Sequence, residues 1–208
     1  MPRLDLIALG VREGLRRALA STALTVMRRE LRDAIDGNAD EPTWAARWYD
    51  ALRPIIDVIM QAAVDRDADK LGPFDHSTYL HEYTSELSRN LARTSFNRVM
   101  RLTRESFELG EGPDALARRL RAELPELNKT RSELIARTEL HTAAEAASYQ
   151  QAMQSPVVSR AEWHHSGKRD ARPEHIVLDR TTVPLGTPFP TGEVYPNRPN
   201  CGCYLTFE

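Results

Sequence analysis

The sequence predicts an α+β protein, with a mainly α-helical body and a small, irregular β-containing module at its C-terminal end. Apolar residues recur at spacings of three and four over most of the chain before Ser155, which is the period of an amphipathic helix. After Ser155-Pro156 the pattern changes to short β-prone runs separated by prolines and glycines. We therefore expect a helical N-terminal region over residues 1–112 and a C-terminal domain over residues 113–208.

The N-terminal region reads as a series of long helices, bounded by glycine and proline. Pro54 lies inside the second helical pattern and is expected to kink or split it. Trp44 and Trp48 share one face of that pattern, and apolar neighbours continue the face, so a core seam is favoured over a binding patch. The predicted helices cover residues 4–35, a stretch starting near Pro42, residues 75–109 capped by Asp75 or Ser77, and residues 113–124.

The C-terminal domain is predicted to consist of one helix and an irregular tail. The helix spans residues 128–154, with Asn128 as its N-cap and a face of small apolar residues suited to close packing. The tail, residues 156–208, is expected to form a small β element packed against that helix. Its β-prone runs are Val157-Val158, Ile176-Val177-Leu178 and Tyr204-Leu205-Thr206-Phe207.

Composition narrows the possible functions. The chain carries 28 Lys and Arg against 30 Asp and Glu, so it lacks the basic surplus typical of nucleic-acid-binding proteins. No signal peptide and no apolar run long enough to span a membrane are recognised. The two cysteines form one C-x-C pair rather than a disulfide framework, which indicates a reducing, cytosolic setting.

The tail contains residues that could bind a metal ion. Cys201, Cys203 and His175 offer the thiolate and imidazole ligands that suit zinc, which usually takes four of them. C-x-C is tighter than the usual C-x2-C pair, so the alternative is two reduced cysteines facing one side of a strand. The candidates for the fourth ligand are His164, His165 and Asp170.

Other chemistry is less well supported by the sequence. A Cys-His-acid catalytic set is conceivable, but nothing in the spacing enforces its geometry, so no enzyme activity is expected. Arginines in the tail could bind phosphate or a partner carboxylate. From Pro156 onward, however, six basic residues face six acidic ones, which favours a compensated network of salt bridges.

The order of short motifs along the C-terminal half is more informative than any one of them. The motifs are Ile135-Ala136-Arg137-Thr138-Glu139, Trp163, Asp170-Ala171-Arg172-Pro173-Glu174-His175, Leu178-Asp179, Pro188-Phe189, Tyr195-Pro196 and Asn200-Cys201-Gly202-Cys203. In this order they resemble the C-terminal domain of the Mu F-like phage head morphogenesis, or minor head protein, family, over about residues 100 to 208.

The resemblance implies a structural protein of a phage or prophage that acts in head (procapsid) morphogenesis. It implies association with the portal protein and with capsid or scaffold proteins, and for some members binding of double-stranded DNA or an influence on its ejection. The protein would reside in the virion, in the head interior or at the portal vertex, and in the host cytoplasm during assembly. The alternative is a zinc-stabilised, DNA-binding or hydrolase-like module.

Three departures from the family pattern stand out. Arg180 replaces the glycine of an L-D-G motif, which suggests a different turn, and Gly202 replaces the arginine of N-C-R-C. The basic run before R-P-x-H is shortened. No cofactor is expected apart from zinc at His175, Cys201 and Cys203. The residues expected to hold the domain together are Arg137, Glu139, Trp163, Asp170, Arg172, His175, Asp179, Cys201 and Cys203.

Overall fold

A computed structural model describes residues 9–208 with the exception of residue 124. The expected fold class is confirmed: long helices precede a small antiparallel sheet near the C-terminal end. None of the helices in this described part is long and apolar enough to cross a membrane. The elements are α1 (Leu9–Ile35), α2 (Glu41–Leu71), α3 (Ser77–Glu108), α4 (Pro113–Glu123), α5 (Pro125–Gln154), β1 (Arg160–His164), α6 (Pro173–Val177), β2 (Thr182–Pro184) and β3 (Tyr204–Phe207).

The helix ends follow local backbone chemistry. Gly37, just past α1, has φ = 76°, the left-handed conformation in which glycine commonly ends a helix. The Asp40 carboxylate accepts a hydrogen bond from the Thr43 amide at 2.9 Å. The Asp75 carboxylate likewise accepts one from the Ser77 amide at 3.0 Å. These side chains satisfy amides that have no partner within the helix, as an N-cap does.

Two helix predictions need correction. Of the two effects expected of Pro54, a kink or a split, the split is excluded, because α2 runs unbroken from Glu41 to Leu71. Pro54 is exposed, so the carbonyl that loses its amide partner can turn to water. The last long helix begins at Pro125 rather than after Asn128, because proline fits the first turn of a helix. Residues 4–8 of the first predicted helix lie outside the described residues.

The β element was predicted only in part. Tyr204–Phe207 is a strand, as expected, but Val157 lies in a turn and Val158 in no strand. Ile176 and Val177 belong to the short helix α6, with Leu178 as its C-cap. Pro173 presets the first residue of α6. His175 within α6 and Leu178 at its C-cap are buried three residues apart, whereas Ile176 is exposed. Helical spacing of the buried residues therefore overrides the β propensity of the sequence.

β1 is the central strand of the sheet, in the order β2-β1-β3. Both pairings are antiparallel, with Ala161 opposite Val183 on one side and Trp163 opposite Leu205 on the other. Alternation along β1 buries Ala161 and Trp163, whereas Glu162 between them is half-buried. The sheet thus has one inward face, as expected for a short antiparallel sheet.

The chain divides into two compact units, each assembled from separate stretches of sequence. Residues 9–16, 56–80 and 137–208 belong to one, called here the tail unit. Residues 17–55 and 81–136 belong to the other, the helical unit. The core of the tail unit is formed by Leu71, Tyr149, Ala152, Ala161, Trp163, Leu178, Phe189, Cys201, Cys203, Leu205 and Phe207.

The core of the helical unit contains the two tryptophans of α2. Trp44 and Trp48 are fully buried, which confirms the core seam expected from the sequence. Each indole N–H donates to a carboxylate of α1: Trp48 to Glu30 at 2.6 Å, and Trp44 to Asp33 at 2.9 Å. Pairing satisfies these polar groups inside the core.

Glu30 is the most strongly perturbed acid in this unit. Removal from water raises the pKa of Glu30 from 4.5 to about 7, against the opposing effect of hydrogen bonds from Ser95 and Trp48 and the nearby Arg131 cation. The charged carboxylate is therefore costly to keep in the folded chain at neutral pH.

We predict that Glu30→Gln removes this cost. The carboxyl group of Glu30 loses its proton near pH 4.5 in the unfolded chain but only near pH 7 in the folded chain. The loss of wild-type folding stability therefore grows between these two pH values and is constant above them. The variant should be more stable by up to about 3 kcal/mol at pH 8, and equal to wild type near pH 4. Chemical denaturation at several pH values measures this difference. A gap that does not depend on pH would contradict the prediction.

Candidate functional site

One face of α5 holds the C-terminal tail through hydrogen bonds to its backbone. Thr138, His141 and Glu145 lie on successive turns of α5 and are all buried. We call their contacts with the chain before and within β3 the anchor hydrogen bonds. They are Asn200 N to Thr138 Oγ1 (3.1 Å), His141 Nε2 to Cys203 O (2.7 Å) and Leu205 N to Glu145 Oε2 (3.1 Å).

The hydrogen bond to Cys203 O and burial together determine the tautomer and the neutral state of His141. Its Nε2 lies against a carbonyl oxygen, so this nitrogen carries a proton and donates it. Burial lowers the pKa of His141, despite the neighbouring Glu145 carboxylate and the bond to Cys203, which act in the opposite direction. Neutral His141 therefore presents one defined tautomer to the tail.

The segment held by the anchor carries both cysteines, and these meet a histidine from α6. One ligand atom from each of His175, Cys201 and Cys203 lies within 4.8 Å of the others, and all three residues are buried. His175 Nδ1 is 3.4 Å from Cys201 Sγ and 3.8 Å from Cys203 Sγ. We call these residues the thiol–imidazole cluster; its donors are of the kind that bind soft or borderline metal ions.

Aromatic rings and one carboxylate hold the imidazole in place. Trp163 meets His175 edge-on at a centroid distance of 5.1 Å, and Phe189 packs in the same way on Trp163 at 5.2 Å. On the far side of the ring, His175 Nε2 lies 3.2 Å from Glu193 Oε2. The distance is that of an ion pair, but the angles are not those of a hydrogen bond. The two atoms are therefore in close polar contact without a hydrogen bond.

The two thiols are electrostatically coupled. A hydrogen bond between them lowers the pKa of Cys203 from 9.0 to about 7, against the effect of burial. The same hydrogen bond, together with burial, raises the pKa of Cys201. The Cys203 amide also points at Cys201 Sγ, at 3.4 Å. The pair of thiols therefore carries one negative charge, on Cys203, more easily than it carries two.

The other residues expected from the sequence surround this cluster or lie apart from it. Asp170 and Arg172 line a cavity of about 20 Å³ beside the cluster. Arg172 donates to the Pro199 carbonyl at 3.0 Å rather than to a carboxylate. Asp179 accepts from the His165 amide at 2.8 Å. On α5, Glu139 is buried whereas Arg137 is exposed.

Two residues of the tail adopt a left-handed backbone although they are not glycine. Arg180 has φ = 62°, so the turn expected to change with the loss of glycine keeps a positive φ, and that expectation is wrong. Its amide donates to the Trp163 carbonyl at 2.7 Å. Asn200 has φ = 59°, a conformation that asparagine tolerates, and it directs Cys201 inward.

Three residues that shape the site were not among those expected. His141 and Glu145 stand one turn apart in a stretch of α5 rich in alanine, and this pair of polar residues is visible in the sequence. Glu193 gives no such signal. It lies in a loop eighteen residues from His175, and only the fold brings the two together.

Comparison with known proteins supplies the family. The model of the family described as "Phage Mu protein F like protein" matches residues 86–206, more than half of the chain. The chain belongs to this family. The resemblance inferred from the motifs is therefore confirmed, and the matched region includes α5, the anchor hydrogen bonds and the thiol–imidazole cluster.

One relative adds little beyond the family. The uncharacterized protein YqbB of Bacillus subtilis (strain 168) is 35% identical over 69 residues. That segment amounts to 32% of this chain and 23% of YqbB, so this Mu F-like chain matches only a minor part of its relative. No solved structure matches the chain significantly.

We predict that Arg180→Gly stabilises the protein. Glycine adopts a positive φ without the clash that a Cβ atom causes, which should raise the free energy of unfolding by up to about 1 kcal/mol after its greater unfolded-state entropy is subtracted. Arg180→Ala is the matched control, because it removes the same exposed side chain but keeps the Cβ atom. Thermal and chemical denaturation would measure both variants. Equal stability of the two would contradict a strained Arg180.

Proposed function

We propose that this chain is a minor head protein that takes part in procapsid assembly and associates with the portal vertex. The observation that carries the proposal is the family match over residues 86–206, which covers all of α5 and the tail up to residue 206. In the virion the protein would lie in the head interior or at the portal vertex. Its part would be structural, presenting a rigid surface to a neighbouring subunit.

The matched region exposes apolar side chains suited to such a contact. Ile176 and Val177 are neighbours on α6, with 49% and 81% of their surface exposed, and Val157 is 71% exposed. His175, which precedes Ile176 in α6, is buried in the tail unit. This buried side chain holds α6 in place. A rigid element with an apolar outer face is the kind of feature that protein interfaces use at their centre.

Portal protein is the proposed partner, with capsid or scaffold proteins as the next candidates. Binding of double-stranded DNA stays a prediction from the family resemblance. The formal net charge of −2 and the balanced charges of the tail do not favour it. DNA binding would have to show an affinity that falls steeply with salt.

The test is co-purification of the full chain with the portal protein encoded in the same phage genome. We expect the wild-type chain to be retained, and the double variant Ile176→Ser/Val177→Ser to lose at least about tenfold in affinity, as for loss of central apolar contacts. Val58→Ser is the matched control, because Val58 is 51% exposed on α2, outside the matched region.

The outcomes separate the possible partners. Retention of wild type and of Val58→Ser, with loss of the double variant, supports the proposed contact through α6. Retention of all three chains would support the portal as partner but reject α6 as the contact. Capture by the major capsid protein, with no capture by the portal protein, would overturn the proposed association.

A further inference from the structure

The spacing of the donors in the thiol–imidazole cluster matches the coordination shell of a zinc ion. Zinc lies about 2.3 Å from sulfur and about 2.0–2.1 Å from nitrogen, so tetrahedral angles place a sulfur and a nitrogen ligand roughly 3.6 Å apart. The two observed distances from His175 Nδ1, 3.4 Å and 3.8 Å, lie on either side of this value. The side chains need not rearrange substantially to accept the ion.

We propose that His175 Nδ1, Cys201 Sγ and Cys203 Sγ bind one zinc ion, which ties α6 to the chain that enters β3. The ligands come from two segments separated by more than twenty residues, so the ion would cross-link the irregular part of the tail. This inference does not depend on the proposed role at the portal vertex.

The surroundings of His175 are those of a metal-bound histidine. Ligating imidazoles usually present their second nitrogen to a carboxylate, which fixes the tautomer and strengthens the ligand. His175 does this: Nδ1 faces the sulfurs, and Nε2 faces Glu193 Oε2 at 3.2 Å. Glu193 is itself held by Arg198, whose Nε donates to Oε1 at 3.0 Å. Glu193 is the outer partner that positions His175.

Charge balance also fits a buried zinc ion. Two thiolates neutralise the ion, the histidine ligand is uncharged, and Arg198 offsets Glu193. Binding would release the two thiol protons to solvent, since zinc binds the deprotonated sulfur. A buried charge cluster is tolerated in proteins when its members are paired or coordinate a metal in this way.

The three cluster residues and Asp170 line a common cavity, which is the space available to a fourth ligand. Its volume of about 20 Å³ is enough for one water molecule, which needs roughly 10–15 Å³. The two other histidines of the tail do not line this cavity. His164 Nε2 contacts Thr206 Oγ1 at 2.8 Å, and His165 Nδ1 accepts from the Gly167 amide at 3.3 Å. The fourth ligand is therefore a water molecule or the Asp170 carboxylate, rather than a second imidazole or a third thiol.

The test begins with the full-length, reduced chain, purified without chelator from zinc-supplemented cells. Elemental analysis should find about one zinc ion per chain. After the metal is removed, titration with Co²⁺ should produce the visible absorption of a tetrahedral thiolate site, and zinc should displace it. A competing chelator indicator then gives the zinc affinity.

Three variants locate the ion. Cys203→Ser should lose stoichiometric zinc, whereas His164→Ala, the matched control from the same tail, should keep it. Glu193→Gln leaves the three ligands in place, and it should weaken zinc binding by about 10–100-fold, as loss of an outer-shell partner does. A role of Glu193 in folding alone would lower thermal stability equally with and without zinc, and would leave the affinity unchanged.

Metal analysis of the wild-type chain tests the proposal even if a variant fails to fold. If folded, reduced wild-type protein contains no stoichiometric zinc and neither Co²⁺ nor Zn²⁺ binds on titration, the proposal is overturned. Preferential retention of copper would also overturn it. If removal of zinc from the wild-type chain leaves its binding to the portal protein unchanged, the zinc site and the proposed function are independent of each other.

Discussion

The tail depends on the hydrogen bonds that α5 makes to its backbone. A sheet of three strands, each three to five residues long, has too little surface to be stable alone. Thr138, His141 and Glu145 supply partners for buried backbone groups that have none within the sheet. Leaving such a group unpaired costs about 1–3 kcal/mol, so the sheet is far more stable on α5 than away from it.

The same bonds determine where the cysteines lie. The anchored groups belong to Asn200, Cys203 and Leu205, so the anchor fixes the stretch that carries both cysteines, and both thiols lie near His175 Nδ1 of α6. Pro173 begins α6 and brings His175 to meet them. The motifs of the family therefore describe one arrangement: the helix that anchors, the turn that presents the imidazole, and the chain that presents the sulfurs.

The sequence predicts periodic features better than contacts between distant segments. Helix period and glycine stops place the long helices, because these signals are local. Residues 176–178 were predicted as a strand, since β-branched propensity is visible whereas burial of His175 and Leu178 is not. His175, Cys201 and Cys203 were grouped by donor chemistry, which needs no fold. Glu193 was missed, because only the folded loop places it behind the imidazole.

The central claim is that α5 holds the tail unit together through its buried polar face. Hydrogen–deuterium exchange of Glu145→Ala, compared with wild type and with Glu162→Ala on the half-buried side of β1, tests it most directly. We expect Glu145→Ala to lose protection in β1 and β3 together, while Glu162→Ala keeps it and α3 is unchanged in both. Protection of β1 and β3 that survives in Glu145→Ala would contradict the account.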